Sequence, residues 1–346
     1  MKKLTTGIIG YGVVGRRRKI FIDKNKFFEV KYISDIRFKK NYIKNGIKYF
    51  KFYDELLKEN LDAVFVTLPN YLAAKVTQNC LRKKIHVFCE KPPGRNVSDI
   101  TRVRIEEKKH KGVKLMYGFN HRYHNSVIMA KKILDSKKYG KVINFRCVYG
   151  KSKIVSFKKS DWRSKRKYAG GGILLDQGIH MVDLLRYFHG EFKYYKSFIS
   201  NNFWNYDIED NAFTLMKDDK GVIASLHSTA TQWEHRFRFE ITLEKALLEL
   251  SGILSGTKSY GKEILAIIRR KSNSDNGAKE KKVLTFSKDD SWQKEIDKFS
   301  KVIINDEKVL NGNSLEALNI MKMLENIYSS DKTWIKKIKN RFKSKI

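Results

Sequence analysis

The sequence predicts an α/β protein: a first third that alternates strands and helices, followed by a longer part in which strands follow one another. Three observations carry this. A short apolar strand at Leu4–Ile9 runs straight into Gly10, Tyr11, Gly12, Val13, Val14 and Gly15. Apolar residues then recur with strand and helix periods in turn as far as residue 118. Beyond that point, alternating apolar runs are separated by glycines and charged pairs, as in a meander-like sheet.

The glycine turn leads into a helix from Val13 toward Ile22, and residues 29–34 form the next strand, which ends at Asp35. Strand, glycine turn, helix, strand and acid in this order describe a dinucleotide site of the Rossmann type. Gly10 permits the sharp turn, Gly12 leaves room for a pyrophosphate beside the backbone, and Gly15 lets the helix approach the strand. Tyr11, Val13 and Val14 complete the turn. The helix start offers N–H groups and a positive dipole end to the phosphates. Asp35 lies 20 residues beyond Gly15 and is placed to accept hydrogen bonds from an adenosine ribose. A carboxylate there repels a 2′-phosphate and favours NAD over NADP, although Arg37 is placed to reach such a phosphate. FAD and S-adenosyl sites share much of this pattern, and an ordinary tight turn shares part of it.

The rhythm continues with a helix at 52–59, a strand at 61–68 whose exit is Thr67, Leu68, Pro69 and Asn70, and a helix at 71–83. A strand at 86–89 ends in Glu90, Lys91, Pro92 and Pro93; a helix at Val97–Lys109 and a strand at 114–118 follow, then Asn120, His121 and Arg122. Helices between successive strands require a parallel sheet, and ligands of such sheets sit beyond the strand C-termini, where these polar residues cluster.

A boundary near 119–126 divides a dinucleotide-binding domain, 1–122, from a substrate-binding and oligomerisation domain, 123–346. The second holds a helix at 127–134 and strands at 142–149, 195–202, 211–217, 221–229, 236–243, 246–250 and 264–270. Residues 271–281 read as a mobile loop, and 332–346 as a basic tail that frays. Between them lie two amphipathic helices. One, at 292–303, places Trp292, Ile296 and Phe299 on one side; the other, at 314–328, starts at Ser314 as N-cap and buries Leu315, Leu318, Met321 and Leu324.

Net charge is +35, from 72 Lys and Arg against 37 Asp and Glu, which favours anionic small molecules but is no nucleic-acid motif by itself. Lysines are spread along the chain, and no Cys/His finger, aromatic RNA-reading strand or basic-leucine repeat accompanies them. Cys80, Cys89 and Cys147 form neither a metal-ligand spacing nor a disulfide framework, which points to a reducing compartment. The apolar start before Gly15 is followed by Arg16, Arg17, Arg18 and Lys19 without a cleavage site, and nothing approaches the ~20 apolar residues of a spanning helix. The expectation is a cytoplasmic protein with no membrane insertion, no nucleic-acid partner and no catalytic metal.

Gly10-x-Gly12-x-x-Gly15, Pro69-Asn70, Glu90-Lys91-Pro92, Asn120-x-Arg122, Asp161-Trp162-Arg163, and Gly170-Gly171-Gly172 leading into Asp176-x-x-x-His180 occur in one order. With these features the chain resembles the glucose–fructose oxidoreductase, inositol dehydrogenase and rhizopine-catabolism superfamily over nearly its whole length. The resemblance implies a C-terminal α/β domain with an open, largely antiparallel sheet, often used for dimer or tetramer contact. It implies Lys91, Asp176 and His180 around the substrate, a cofactor site lined near Leu68, Pro69, Asn70 and Glu90, and a cis bond near Lys91. Many relatives carry a histidine after Pro-Asn; this chain has Tyr71, Leu72, Ala73 and Ala74 there.

The chemistry follows from the residue types. Oxidising a secondary alcohol removes a hydroxyl proton as well as a hydride, so a base near neutrality helps, and His180 has a suitable reference pKa. Alone, His180 would read as a core histidine; Asp176, the triple glycine and Lys91 shift that reading. If 174–187 is one helix, Asp176 and His180 share a face, and Asp176 orients the imidazole or binds a substrate hydroxyl. Lys91 supplies positive charge to a developing alkoxide. Trp162, Arg163 and Asn120 are expected beside the cofactor, and Arg122 and Arg163 beside the substrate. The residues predict a hydride site with polar groups suited to a polyol, and the resemblance implies hydride transfer between NAD(P) and a sugar, nucleotide sugar or cyclic polyol. The alternatives are a non-catalytic nucleotide-binding sensor or structural subunit, and a basic nucleic-acid-binding protein.

Overall fold

The computed structural model describes residues 3–152, 161–255, 259–271 and 279–343. The chain divides into two compact units: Met1–Asn120 with Lys167–Gly170 and Asp290–Met321, and His121–Arg166 with Gly171–Asp289 and Lys322–Ile346. A contiguous division at 122 leaves out the two returns of the chain into the first unit.

The first unit opens with β1 (Leu4–Ile9), α1 (Val13–Lys24), β2 (Phe28–Ser34), β3 (Tyr42–Lys44), β4 (Ile47–Phe50) and α2 (Tyr53–Leu56). Then come β5 (Ala63–Val66), α3 (Asn70–Arg82), β6 (His86–Glu90), α4 (Val97–Lys109) and β7 (Leu115–Gly118). The strands form one sheet in the order β3-β4-β2-β1-β5-β6-β7, parallel except between β3 and β4. The order reverses between β1 and β5, which marks the ligand-binding edge of such sheets. The β3–β4 hairpin is absent from the sequence reading. Its signal is Asn45-Gly46, whose φ values of 50° and 73° match the two-residue turn that Asn-Gly favours.

The second unit holds α5 (Asn125–Asp135), β8 (Val142–Gly150), part of the short α6 (Arg166–Ala169), a π turn at Leu174–Gly178, and α7 (Ile179–Phe188). Strands β9 (Tyr194–Ser200), β10 (Asn211–Lys217), β11 (Ile223–Thr229), β12 (Arg236–Leu243), β13 (Leu247–Ser251), β14 (Glu263–Arg270) and β15 (Lys279–Phe286) follow. With β8 they form a sheet in the order β15-β14-β13-β12-β8-β11-β10-β9, in which β8 and β11 are parallel and the other neighbours antiparallel. Alternation buries Ala212, Thr214 and Met216 of β10 and leaves Phe213 and Leu215 exposed.

Part of the loop expected at 271–281 is instead the edge strand β15, paired with β14; residues 272–278 lie outside the described ones. The expected fraying tail is α10 (Lys332–Lys343). Asp331 caps it by accepting bonds from Thr333 Oγ1 at 2.6 Å and the Trp334 amide at 2.9 Å, and Trp334 is buried.

Between them run α8 (Ser291–Ile304) and α9 (Ser314–Ser330). The cap of α9 is Asn313 rather than Ser314: its Oδ1 accepts from the Leu315 and Glu316 amides, both at 3.0 Å. Helix α8 explains one return of the chain. Its Phe299 meets Phe28, Phe65 and Phe88 at centroid distances of 5.9, 5.7 and 5.6 Å, covering a face that a parallel sheet must bury. Each such ring contributes on the order of 2 kcal/mol by burial. Sequence periodicity gives the apolar stripe of α8 but not the sheet it covers.

On the second sheet, His227 stacks on Phe213 at 3.7 Å, and burial lowers its pKa from 6.5 to about 4. The folded state therefore prefers neutral imidazole, and the stability this gives is present above pH 6.5 and is lost as pH falls toward 4. His227→Gln should flatten that part of the thermal midpoint's pH profile; an unchanged acid slope would remove His227 as its cause.

Candidate active site

Each unit carries its own part of the expected site. In the first, β1 ends at a backbone that only glycine permits. Gly10 has φ of +92°, and a Cβ there would lie 2.7 Å from the Thr67 carbonyl oxygen. A Cβ on Gly15 would lie 2.1 Å from the Gly10 carbonyl oxygen, so α1 can start this close to β1 only with glycine. Among the described residues, a Cβ on Gly12 would meet only Arg37 Nη2, at 3.9 Å. Gly12 is the N-cap of α1 and offers no side-chain cap, so this helix start with open space beside it suits an anion. Tyr11, Val13 and Val14 lie around it, Val13 strongly exposed.

Asp35 follows β2. Its carboxylate accepts from the Tyr11 amide at 2.7 Å, the Arg37 amide at 3.0 Å, and Arg37 Nε and Nη2 at 2.7 Å each. Burial pushes the carboxyl upward, and the bonds from Arg37 and Tyr11 more than reverse this, holding it below the usual carboxylate range. Arg37, set against Asp35 in the sequence reading of cofactor preference, is therefore its bidentate partner.

Pro69 precedes α3, and Asn70 Nδ2 donates to the Ala169 carbonyl at 2.7 Å. This ties the strand exit after Leu68 to the returning segment Lys167–Gly170. Glu90 ends β6, and its carboxylate accepts from buried Arg18. Lys91 follows immediately, and the Lys91–Pro92 peptide is cis. Asn120 is buried at the start of a 3-10 turn.

In the second unit, His180 opens α7 and is 3% exposed. Its ring stacks on His121 at 3.7 Å and 14°, and lies 6.3 Å from Tyr149. Tyr149 in turn meets Tyr260 at 5.3 Å. Asp176 lies in the π turn rather than in a continuous α-helix, and accepts from Gln177 Nε2 at 2.9 Å. Such turns occur often at functional sites. Burial raises the pKa of both tyrosines, and the Asp176 charge adds to the rise.

The glycine run is closely packed. A Cβ on Gly171 would fall 2.2 Å from Tyr328 Oη, and one on Gly172 2.0 Å from the Glu209 carbonyl oxygen. These glycines make room for protein atoms, and thereby fix where the π turn begins.

Arg122, expected at the substrate, is 3% exposed and forks onto Asp183 at 2.6 and 3.1 Å, with its guanidinium 5.0 Å from the Tyr187 ring centroid. Its observed place is a buried ion pair with Asp183. Trp162 and Arg163 lie in a 3-10 turn capped by Asp161, with the guanidinium 4.3 Å over the indole. The contacts of His121 and Tyr149 with His180, and of Tyr260 with Tyr149, are not announced by the sequence. His121 lies inside the Asn120-x-Arg122 motif, whereas Tyr260 has no local signal.

Residues 4–119 match the model of an oxidoreductase family with an NAD-binding Rossmann fold, and residues 127–249 match the GFO/IDH/MocA C-terminal domain. A myo-inositol 2-dehydrogenase of Thermotoga maritima is 31% identical over 190 residues, 54% of each chain. A glucose-6-phosphate 3-dehydrogenase of Bacillus subtilis is 28% identical over 193 residues, 54% of this chain and 53% of that protein. The chain spans about half the length of the curated relatives it matches. Levoglucosan dehydrogenase in complex with NADH superposes with a TM-score of 0.81 at 17% identity, covering 96% of this chain and 98% of that one. An NADPH-dependent oxidoreductase, so described, of Desulfitobacterium hafniense gives 0.84 at 19%, covering 96% and 97%. At these identities the likeness is one of fold.

Proposed function

Because this chain belongs to the GFO/IDH/MocA oxidoreductase family, we propose that it moves a hydride between NAD(P) and a secondary alcohol or ketone of a sugar, nucleotide sugar or cyclic polyol. The observation that carries the reading is the glycine turn: open space beside Gly12, at a helix start without a side-chain cap. The residues fit a dinucleotide, with Gly10–Gly15 at the pyrophosphate and Asp35 with Arg37 at the ribose. Leu68, Pro69, Asn70, Asn120, Trp162 and Arg163 are its further proposed neighbours.

When bound, the nicotinamide supplies a hydride acceptor or donor. The protein's part is proton and charge. His180 takes the substrate hydroxyl proton, Lys91 holds the developing oxygen charge, and Asp176 fixes the geometry. Arg163 is the proposed ligand for an acidic group of the substrate. In the reverse direction Lys91 polarises the carbonyl. The test is a binding screen with NADH and NADPH followed by nicotinamide absorbance assays over sugars and nucleotide sugars. Binding with turnover supports the reading, and neither cofactor binding removes it.

NAD is the preferred cofactor in this proposal, since Asp35 holds Arg37 and presents carboxylate charge to the ribose. Asp35→Ala should weaken NAD binding and release Arg37 toward a 2′-phosphate, narrowing the gap between the two cofactors. Titrations giving unchanged dissociation constants for both would reject the assignment. The exposed Phe198, Phe213, Leu215 and Ile223 of β9, β10 and β11 support a homodimer or homotetramer. Three buried free cysteines support a cytoplasmic location, and among the described residues no helix is long and apolar enough to cross a membrane.

A further inference from the structure

Arg18 lies in α1, three residues beyond Gly15, and is fully buried. Its Nε donates to Glu90 Oε1, and its Nη2 lies 2.7 Å from Oε2 of Glu295, itself fully buried. The guanidinium carbon sits 4.5 Å from the Phe88 ring centroid and 4.1 Å from that of Trp292. Space for it is left by Gly118, where a Cβ would lie 3.0 Å from Arg18 Nη2 and 3.2 Å from Glu90 Oε2.

One planar cation thus joins three elements: the helix that starts at the glycine turn, the strand that ends at Glu90 and Lys91, and α8 from the distant return of the chain. Burying a guanidinium is costly unless it is paired; this one bonds Glu90 through Nε and meets Glu295 at ion-pair distance with Nη2, a reach to two carboxylates that a single ammonium does not reproduce. Packing alone would be served as well by an apolar side chain. A brace that ends one residue before Lys91 fixes the backbone from which that side chain departs.

We infer that Arg18 is a positioning residue for Lys91: through Glu90 it holds the turn that carries the lysine, with Glu295 of α8 as its second anchor. This rests on the role proposed above for Lys91. Arg18→Met leaves two buried carboxylates facing each other without their cation, so Arg18→Lys and Glu295→Gln are the working variants. Full-length proteins are compared by thermal midpoint, NADH and NADPH affinity, kcat, and the rate at which Lys91 is acylated by a small amine-reactive reagent, read by peptide mass spectrometry.

The expected result is cofactor affinity within about threefold of wild type, an acylation rate at Lys91 altered at least about threefold, and kcat lowered roughly 10- to 100-fold, the scale of a small misplacement. Arg18→Lys keeps the charge without the fork and should stay impaired. Wild-type acylation and kcat in both variants, with only a lower midpoint, would overturn the inference. A wild type without turnover on any sugar would count against the proposed function instead, and the acylation comparison would still decide the role of Arg18.

Discussion

Replacing Lys91 with alanine is expected to cut kcat by at least ~100-fold while NADH and NADPH affinities stay within about threefold of wild type, since loss of one well-placed charge donor costs 10²–10³ in rate. The lysine follows a strand end that Arg18 and Glu90 hold in place, so truncation removes the ammonium without releasing the backbone. The glycine turn is formed by other residues, and cofactor binding is therefore spared. His180→Ala should behave alike, through loss of the base. The two losses should fall short of multiplying in the double variant, because both groups are proposed to serve one transition state. Steady-state kinetics with fluorescence titration of the cofactors measures both quantities. Wild-type kcat in Lys91→Ala would remove the lysine from the mechanism.

The largest stability effect is expected at Asp183. It is fully buried and accepts from Arg122 Nε at 3.0 Å and Nη2 at 2.6 Å. Asp183→Ala strands that guanidinium in the protein interior, and breaking a buried pair from one side costs about 3–5 kcal/mol. The thermal midpoint should fall by roughly 10 °C at ~2–4 °C per kcal/mol. A double variant with Arg122→Met and Asp183→Leu should recover most of the loss, because no charge is left uncompensated. A midpoint unchanged in Asp183→Ala would reject this account of the pair, and a raised KM for sugar in Arg122→Met would support the expected substrate role of Arg122.

The first sheet was legible because its signals are local. Gly10, Gly12 and Gly15 announce the turn, and the alternation of apolar periods announces parallel strands. Val97–Lys109, Asn211–Lys217 and Arg236–Leu243 have the bounds that their periodicity and flanking residues predict. The β3–β4 hairpin has a local signal too, in Asn45-Gly46, set between runs too short to read as strands unaided. The Arg18–Glu90–Glu295 brace depends on a segment more than 200 residues further on, and no spacing in the sequence shows it. The same holds for His121 against His180, and for Tyr260. Arg122 stands among polar residues after a strand, and nothing in that setting shows that it is buried against Asp183. The glycine run before Asp176 has no sequence signal for its neighbours: Gly171 and Gly172 answer to Tyr328 and Glu209.

The most direct test uses NADH and NADPH deuterated at both C4 positions, offered with a panel of keto-sugars and keto-nucleotide sugars, with products read by mass spectrometry and NMR. The account predicts one deuterium on the new carbinol carbon with the wild-type protein, and a rate of incorporation reduced at least ~100-fold in His180→Ala and Lys91→Ala. Reduced product with no deuterium at that carbon, or incorporation as fast in both variants as in wild type, would contradict it.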